Sequence, residues 1–375
     1  MARKKLKRGR IDMTLFSILT IMITFGLVMV FSASAPSAFY QHGDQFHFIK
    51  RQFIWTVVGF GAMLFFASIN YRVIKKWAGV FCAVALVLMF LVPLIGIELN
   101  GAKRWLGIGP LTFQPSEIAK FALVFYFAKR MDESRRGSLN NFVHGLLPYI
   151  AVLGMFLLSM VLQDHLSATV VTFGALMIVL YVGGANTKHF IFMGLAGLAA
   201  IVPLAIFESY RLARIMTFLD PFADIKGGGW QIVQGLYAIG SGGIFGRGLG
   251  QARQKFLYVP EAHNDYIYAI LCEELGLIGA ILVAVLFAAF ITRCIIIAVN
   301  APDTFSKMTV FGITTIIALQ YVINLGVVTS IMPNTGMQLP FFSAGGTSLV
   351  FLMSAMGIVL NISRYSKIPD RKDGV

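Results

Sequence analysis

The sequence predicts an all-α polytopic membrane protein of ten transmembrane helices, with a long extracellular loop, residues 208–264, between the seventh and eighth. Three observations carry this prediction. Apolar stretches recur along the chain at close to the length of about 20 residues that a bilayer crossing requires. Hydrophobic residues make up 57% of the 375 positions and charged ones only 13%, well below the charged share of an ordinary soluble domain, and mean hydropathy is +0.77. Basic residues gather at alternate turns, which sets orientation under the positive-inside rule. The formal charge of +14 is therefore read as topology, and no nucleic-acid partner is expected. Cys82, Cys272 and Cys294 stand in apolar stretches at unrelated spacings, which indicates neither a disulfide framework nor a zinc site.

Residues 1–10 carry six Lys or Arg and are expected inside. The first span, about residues 12–34, is too long for a signal-peptide core and is read as retained. Further spans are expected near 53–69, 77–97, 115–129, 143–162, 168–182, 190–207, 266–294, 309–331 and 343–362. Inner turns hold Arg72, Lys75 and Lys76, then Lys129 to Arg136, then Lys188. The tail, with Arg364, Lys367, Arg371 and Lys372, completes a chain with both termini in the cytoplasm. Lys50-Arg51 and Lys103-Arg104 fall on the outer side, against this trend. No soluble domain interrupts the bundle, so residues 1–375 read as a single membrane domain. No internal repeat is evident, which weakens the inverted-repeat architecture common among transporters.

The polar features gather on the outer side. Lys255, Glu261, His263 and Asp265 stand where the long loop becomes a helix, and Glu273 and Glu274 follow inside it. Ionisable groups are expensive there, so they are paired, hydrated or functional. A helix cap at Asn264 or Asp265, after Pro260, needs one such residue, and the stretch supplies several. In the same loop, Arg211, Arg214, Lys226, Arg247, Arg253 and Lys255 can neutralise phosphate. Its glycine runs at 227–229 and 242–250 permit close approach of backbone to a ligand. A flexible loop with basic residues at the lipid headgroups accounts for these equally well. No glycine run ends in the nucleotide-binding Gly-Lys-Ser/Thr pattern, so ATP use is unsupported. Pro333, Gly336 and Pro340 reject a regular helix, leaving a re-entrant segment or a tight loop. Pro115 suits a first helical turn, and Glu117 and Lys120, three apart, read as a structural ion pair.

The motifs Asn100-Gly-Ala-Lys-Arg-Trp105, Gln114-Pro-Ser-Glu-Ile-Ala-Lys120, Tyr210 through Pro221, Ser241 through Gly250, Pro260-Glu-Ala-His-Asn-Asp265 with Glu273-Glu-Leu-Gly276, and Leu339-Pro-Phe-Phe-Ser-Ala-Gly-Gly-Thr-Ser348 together resemble the SEDS family (shape, elongation, division and sporulation), represented by FtsW, RodA and SpoVE. They occur in the family's order over nearly the whole chain. The chain departs from the family at Asn264, where Thr is usual, at His165, where an aspartate is usual, and at Ala344, where Tyr is usual. The run Asn324-Leu-Gly-Val-Val-Thr329 and the ending Leu360-Asn-Ile-Ser-Arg364 resemble the division and sporulation branch more than the elongation branch.

The resemblance implies a peptidoglycan glycosyltransferase of the bacterial cytoplasmic membrane, polymerising lipid II at the outer face. The implied catalytic base is Asp265. Arg214, Arg247 and Lys255 are the implied pyrophosphate contacts, Glu261 and His263 neighbours that tune or orient the base, and Lys103 and Arg104 further substrate contacts. Glu117, Lys120 and Glu273 are expected to be structural or to line the cavity. A divalent cation (Mg or Mn) bridging pyrophosphate and Asp265 suits the chemistry, though no ligand cluster specifies one. The implied partners are a class B penicillin-binding protein, which crosslinks the strands, and other divisome or elongation membrane proteins. A lipid-precursor flippase or other transporter, and a non-catalytic scaffold of cell-wall synthesis, are the competing functions. Within the family, a cell-shape role competes with division.

Overall fold

The computed structural model describes residues 9–99, 101–108, 111–135, 137–206 and 209–367. Most of the N-terminal basic cluster, Asn100, Arg136, Glu208, Arg371 and Lys372 lie outside the described residues. The helices are α1 (Met13–His42), α2 (His47–Ser68), α3 (Tyr71–Ile95), α4 (Pro115–Glu133), α5 (Leu147–Leu162), α6 (Leu166–Val182), α7 (Thr187–Ile206), α8 (Ser209–Leu219), α9 (Trp230–Gly242), α10 (Ile267–Val299), α11 (Thr304–Val328) and α12 (Thr347–Ser363). Among the described residues six helical segments are long and apolar enough to cross a membrane: α1, α2, α3, α5 with the π-helical turn before it, α10 and α11. α6 and α12 are apolar but shorter.

The termini of the helices follow their sequence signals. Asp12 caps α1 by accepting from the Leu15 amide at 2.8 Å, and Arg293 of α10 closes on the same carboxylate at 2.8 Å. Asn70 caps α3 and Pro115 opens α4, where its missing N–H is no loss. Asp303 and Ser306 form a reciprocal capping box on α11.

Three expectations are corrected. The outer link from α3 to α4 is no plain loop. It forms a three-stranded antiparallel meander, β1 (Ile97–Leu99), β2 (Ala102–Ile108) and β3 (Leu111–Phe113), set on an otherwise all-α bundle. The stretch 208–264 also carries structure, namely α8 and α9. Helix limits shift as well: α2 begins at His47, and α10 runs on to Val299.

Two breaks in helical backbone shape the outer side. Gly276 interrupts α10 with φ 64°, a conformation in which a side chain is strained, and a Cβ there would overlap the Gly246 amide. The freed ladder is rebuilt by the incoming loop. Arg247 and Gly248 amides donate to the Glu273 and Glu274 carbonyls at 3.0 and 2.9 Å, and the Leu277 amide donates to the Gly243 carbonyl at 2.9 Å. The second break is the segment 329–346, which settles the choice left open by its prolines. It re-enters the bundle, because a methyl group at Gly26, midway along α1, would overlap the Phe341 carbonyl. Phe341 and Phe342 are buried against Phe290 and Phe287 of α10, with ring centroids 5.8 and 6.1 Å apart. Non-helical backbone at depth needs protein partners, and Asn324 of α11 supplies one. Its amide nitrogen donates to the Asp265 carbonyl at 2.8 Å and to the Met337 carbonyl at 2.6 Å.

Candidate active site

The loop after α9 is held down by two buried carboxylates. Glu273 accepts the Arg253 and Gln254 amides at 2.8 and 3.1 Å, with the Arg247 guanidinium 3.7 Å away. Glu274, fully buried, takes the Lys255 ammonium at 2.7 Å and the Ser32 hydroxyl of α1 at 2.6 Å. Lys255 also donates to the Gly250 carbonyl at 2.7 Å and to Ser32 Oγ at 3.2 Å. All three ammonium donors therefore meet protein acceptors, an arrangement that suits fixing the loop. Arg247 is likewise engaged, donating to the Ser241 carbonyl at 3.3 Å.

From that anchor the chain passes through left-handed backbone at Leu257 (φ 66°) and Glu261 (φ 51°) and reaches Asp265 just before α10. Such strain collects where a scaffold over-determines a functional geometry. Burial pushes the Asp265 carboxyl up to about 6; its own backbone N–H and Arg214 pull the other way, and Glu261 adds to the rise. Burial also lowers His263, with Glu261 opposing. The Asp265 carboxylate lies 3.7 Å from where a Cβ on Gly336 would stand, so it faces the re-entrant segment. Around it, Arg214 of α8 donates to the Asn334 carbonyl at 3.2 Å. The Asn334 amide donates to Gln231 of α9 at 3.0 Å, and Ser167 of α6 donates to the Thr335 carbonyl at 2.5 Å. Three separate helices thus converge on residues 334–336 beside the Asp265 carboxylate.

Asp265 and Arg214 meet at this wall, with Glu261 and His263 on the same turn. Lys103 and Arg104 do not. Lys103 borders a separate hollow with Glu98, Gln163 and Asp164, and Arg104 donates to the Asp164 carbonyl at 2.6 Å. Glu117 and Lys120 form the expected pair on α4 at 2.7 Å. His165, beside that pair, lies 3.3 Å from Ser116 Oγ. Burial lowers it to about 3, helped by the charges of Arg104 and Lys120, so it is neutral and keeps an acceptor nitrogen. Among the described residues no three His, Cys, Asp or Glu side chains cluster as a metal site.

Sequence reasoning missed Asn324 and Ser32 and did not assign Glu274 a role. Each had a legible sign, a polar side chain inside an apolar run, which demands a partner.

Fold and site together define a multi-pass α-helical membrane protein with a re-entrant segment faced by a buried carboxylate, Asp265. Residues 12–368 match the FtsW/RodA/SpoVE family model, described as "Cell cycle protein", and the chain belongs to that family. It is 40% identical over 363 residues to stage V sporulation protein E of Bacillus subtilis (strain 168), covering 96% of this chain and 99% of that protein. It is 38% identical over 357 residues to a protein of Geobacter sp. (strain M18) named "Probable peptidoglycan glycosyltransferase FtsW", covering 94% and 96%. Among solved structures it resembles a chain from work on structural coordination of polymerization and crosslinking by a peptidoglycan synthase complex, with TM-score 0.79, 28% identity and coverage of 95% and 98%. The rod shape determining protein RodA of Thermus thermophilus superposes with TM-score 0.72 at 25% identity, covering 95% of this chain and 98% of that one.

Proposed function

We propose that this protein polymerises lipid II into glycan strands at the outer face of the cytoplasmic membrane, in division or sporulation. One observation carries the reading. Asp265 is a buried carboxylate raised by burial to about 6 beside Arg214, in a chain whose relatives include a named peptidoglycan glycosyltransferase. The 4-hydroxyl of an acceptor GlcNAc attacks C1 of a donor MurNAc. The new C–O bond forms as the bond to undecaprenyl pyrophosphate breaks, and the anomeric configuration inverts. Asp265 takes the hydroxyl proton and releases it to water after turnover, a role that contributes about 10²–10⁴-fold. Arg214 stabilises charge on the departing pyrophosphate through charge-assisted hydrogen bonds.

In this reading ten helices cross the membrane: the six long ones, the shorter α6 and α12, and α4 and α7. α8, α9 and the loop to Asp265 stay outside, and both termini are cytoplasmic. A divalent cation fits the donor set, since Mg²⁺ commonly binds one or two carboxylates together with substrate phosphates. When bound it would neutralise pyrophosphate charge. The partner is a class B penicillin-binding protein. Purified protein with that partner, given labelled lipid II and no other glycosyltransferase, is expected to make polymer. Lipid II left unpolymerised under conditions where the partner is bound would remove the reading.

A further inference from the structure

Along α8 the apolar side chains look outward and the polar ones are packed, the reverse of a helix on a soluble domain. Leu212, Met216 and Leu219 are spaced four and three apart, which puts them on one edge of the helix. Met216 and Leu219 are 61% and 69% exposed, and the chain beyond adds exposed Phe222 and Ile225. On the far side, Thr217 meets the turn that follows α8. A Cβ on Gly228 would lie 2.9 Å from the Thr217 hydroxyl oxygen, and the Gly228 amide closes that turn on the Asp224 carboxylate at 2.9 Å. Arg214 reaches the Asn334 carbonyl. Among the described residues the apolar edge stays uncovered, and a contiguous surface of this kind marks an interaction site.

The position of α8 indicates what covers that edge. The helix begins at Ser209, three residues after α7 ends at Ile206, a link that reaches roughly 11 Å at most. Its middle is held by Arg214 to the segment that re-enters the bundle. It is therefore tied at its start and at its midpoint to elements of the membrane bundle. Residues 209–219 also carry two arginines and no acidic residue, a charge that suits lipid phosphates. A basic amphipathic helix so placed lies in the interface plane, with its apolar face sunk about 5–10 Å into the boundary between headgroups and acyl chains.

We propose that α8 is an in-plane anchor in the outer leaflet, with its Leu212–Met216–Leu219 edge seated among the lipids and Arg214 thereby held level with their phosphates. The choice of leaflet rests on the topology proposed above, and the use of Arg214 rests on the polymerase reading. Arg214 stands on the side of α8 away from the apolar edge, so the depth of that edge fixes the height of the guanidinium. A lipid-linked pyrophosphate lies at the headgroup level as well. The bilayer itself thus sets the register between this cation and the group it neutralises.

The test attaches a thiol-directed nitroxide at Met216→Cys, at Leu219→Cys and, as a control in water, at Lys226→Cys, in nanodiscs of phosphatidylcholine and phosphatidylglycerol. Cys82, Cys272 and Cys294 are buried and stay unlabelled. Spin relaxation at 216 and 219 is expected to respond to dissolved oxygen and not to a water-soluble nickel chelate, and at 226 to the chelate. A chelate that reaches 216 and 219 as readily as 226 would overturn the anchor. So would protection that appears only when a class B penicillin-binding protein is added, which would mark a protein docking face, or dipolar broadening between two copies in one disc. Met216→Lys with Leu219→Lys then reads the link to Arg214. Its KM for lipid II is expected to rise about tenfold or more, the loss of one charge-assisted contact, with kcat changed less. Thermal midpoints in detergent report folding, and if the double variant fails to fold, Met216→Lys alone is read in its place. An unchanged KM in a folded variant would overturn the link. Lys226 labelled only from the cytoplasm would overturn the topology instead, and a wild type that makes no polymer would overturn the catalytic reading; neither alters what the nitroxides report about insertion.

Discussion

Replacing Lys255 by methionine tests what the buried pair at the outer end of α10 does. Lys255 and Glu274 are 4% and 0% exposed, and the ammonium donates to Glu274, Ser32 and Gly250. Methionine preserves the apolar stem and removes all three bonds. Among the described residues Glu274 then keeps only the Ser32 hydroxyl as a side-chain donor, a buried charge without a counter-charge. Breaking such a pair costs about 3–5 kcal/mol, whereas removing both partners is often neutral. Lys255→Met is thus expected to lower the thermal midpoint sharply in detergent, and Lys255→Met with Glu274→Leu to recover most of it. Polymer length from labelled lipid II is expected to recover in parallel, because the pair acts by anchoring the loop that delivers Asp265. If the double variant regains stability but makes no polymer, Lys255 contacts substrate and the anchoring argument is wrong. A single variant as stable as the wild type would refute it as well.

Asp265→Asn is expected to insert, fold and bind its partner while losing strand synthesis; near-normal polymer length would remove the base role. Wild-type turnover should fall as pH drops through about 6, where the carboxyl takes up a proton. Because its folded pKa lies above the unfolded value of 3.8, this group favours folding at low pH and loses that contribution as pH rises through about 6. Asp265→Asn should therefore match the wild type in stability at acid pH and exceed it at neutral pH, as thermal scans across that window would show. Gly26→Ala must displace the Phe341 carbonyl; overpacking of this kind costs about 1–3 kcal/mol, and a thermal midpoint equal to wild type would refute the close approach. Reporter fusions should place Met1 and Val375 inside, and impermeant labelling should reach Lys226 from outside; labelling only from the cytoplasm would place the site on the wrong face.

The helices were legible because apolar length and caps are local properties. Pro115 announced α4, and Glu273 with Glu274 warned of trouble in α10. The break itself falls at Gly276, and it depends on a loop whose return to that height no local pattern states. The helices α8 and α9 were read as loop because they lie outside the apolar spans and their glycine-rich, basic surroundings resemble a flexible connection. Lys255 was assigned to phosphate by charge and neighbourhood. Its burial against Glu274 and Ser32 is a tertiary fact spanning 223 residues of chain. Asp265 was found through motif resemblance, whereas its approach to Gly336 needed the re-entrant segment to be placed in space.

Asn324 has a mechanical consequence. One amide grips both the backbone that carries Asp265 and the backbone of the re-entrant segment. A tilt of α11, from a partner pressing on the bundle or a lipid tail wedging beside it, therefore carries both walls of the carboxylate's surroundings in the same direction. The gap between them is thereby insulated from that motion.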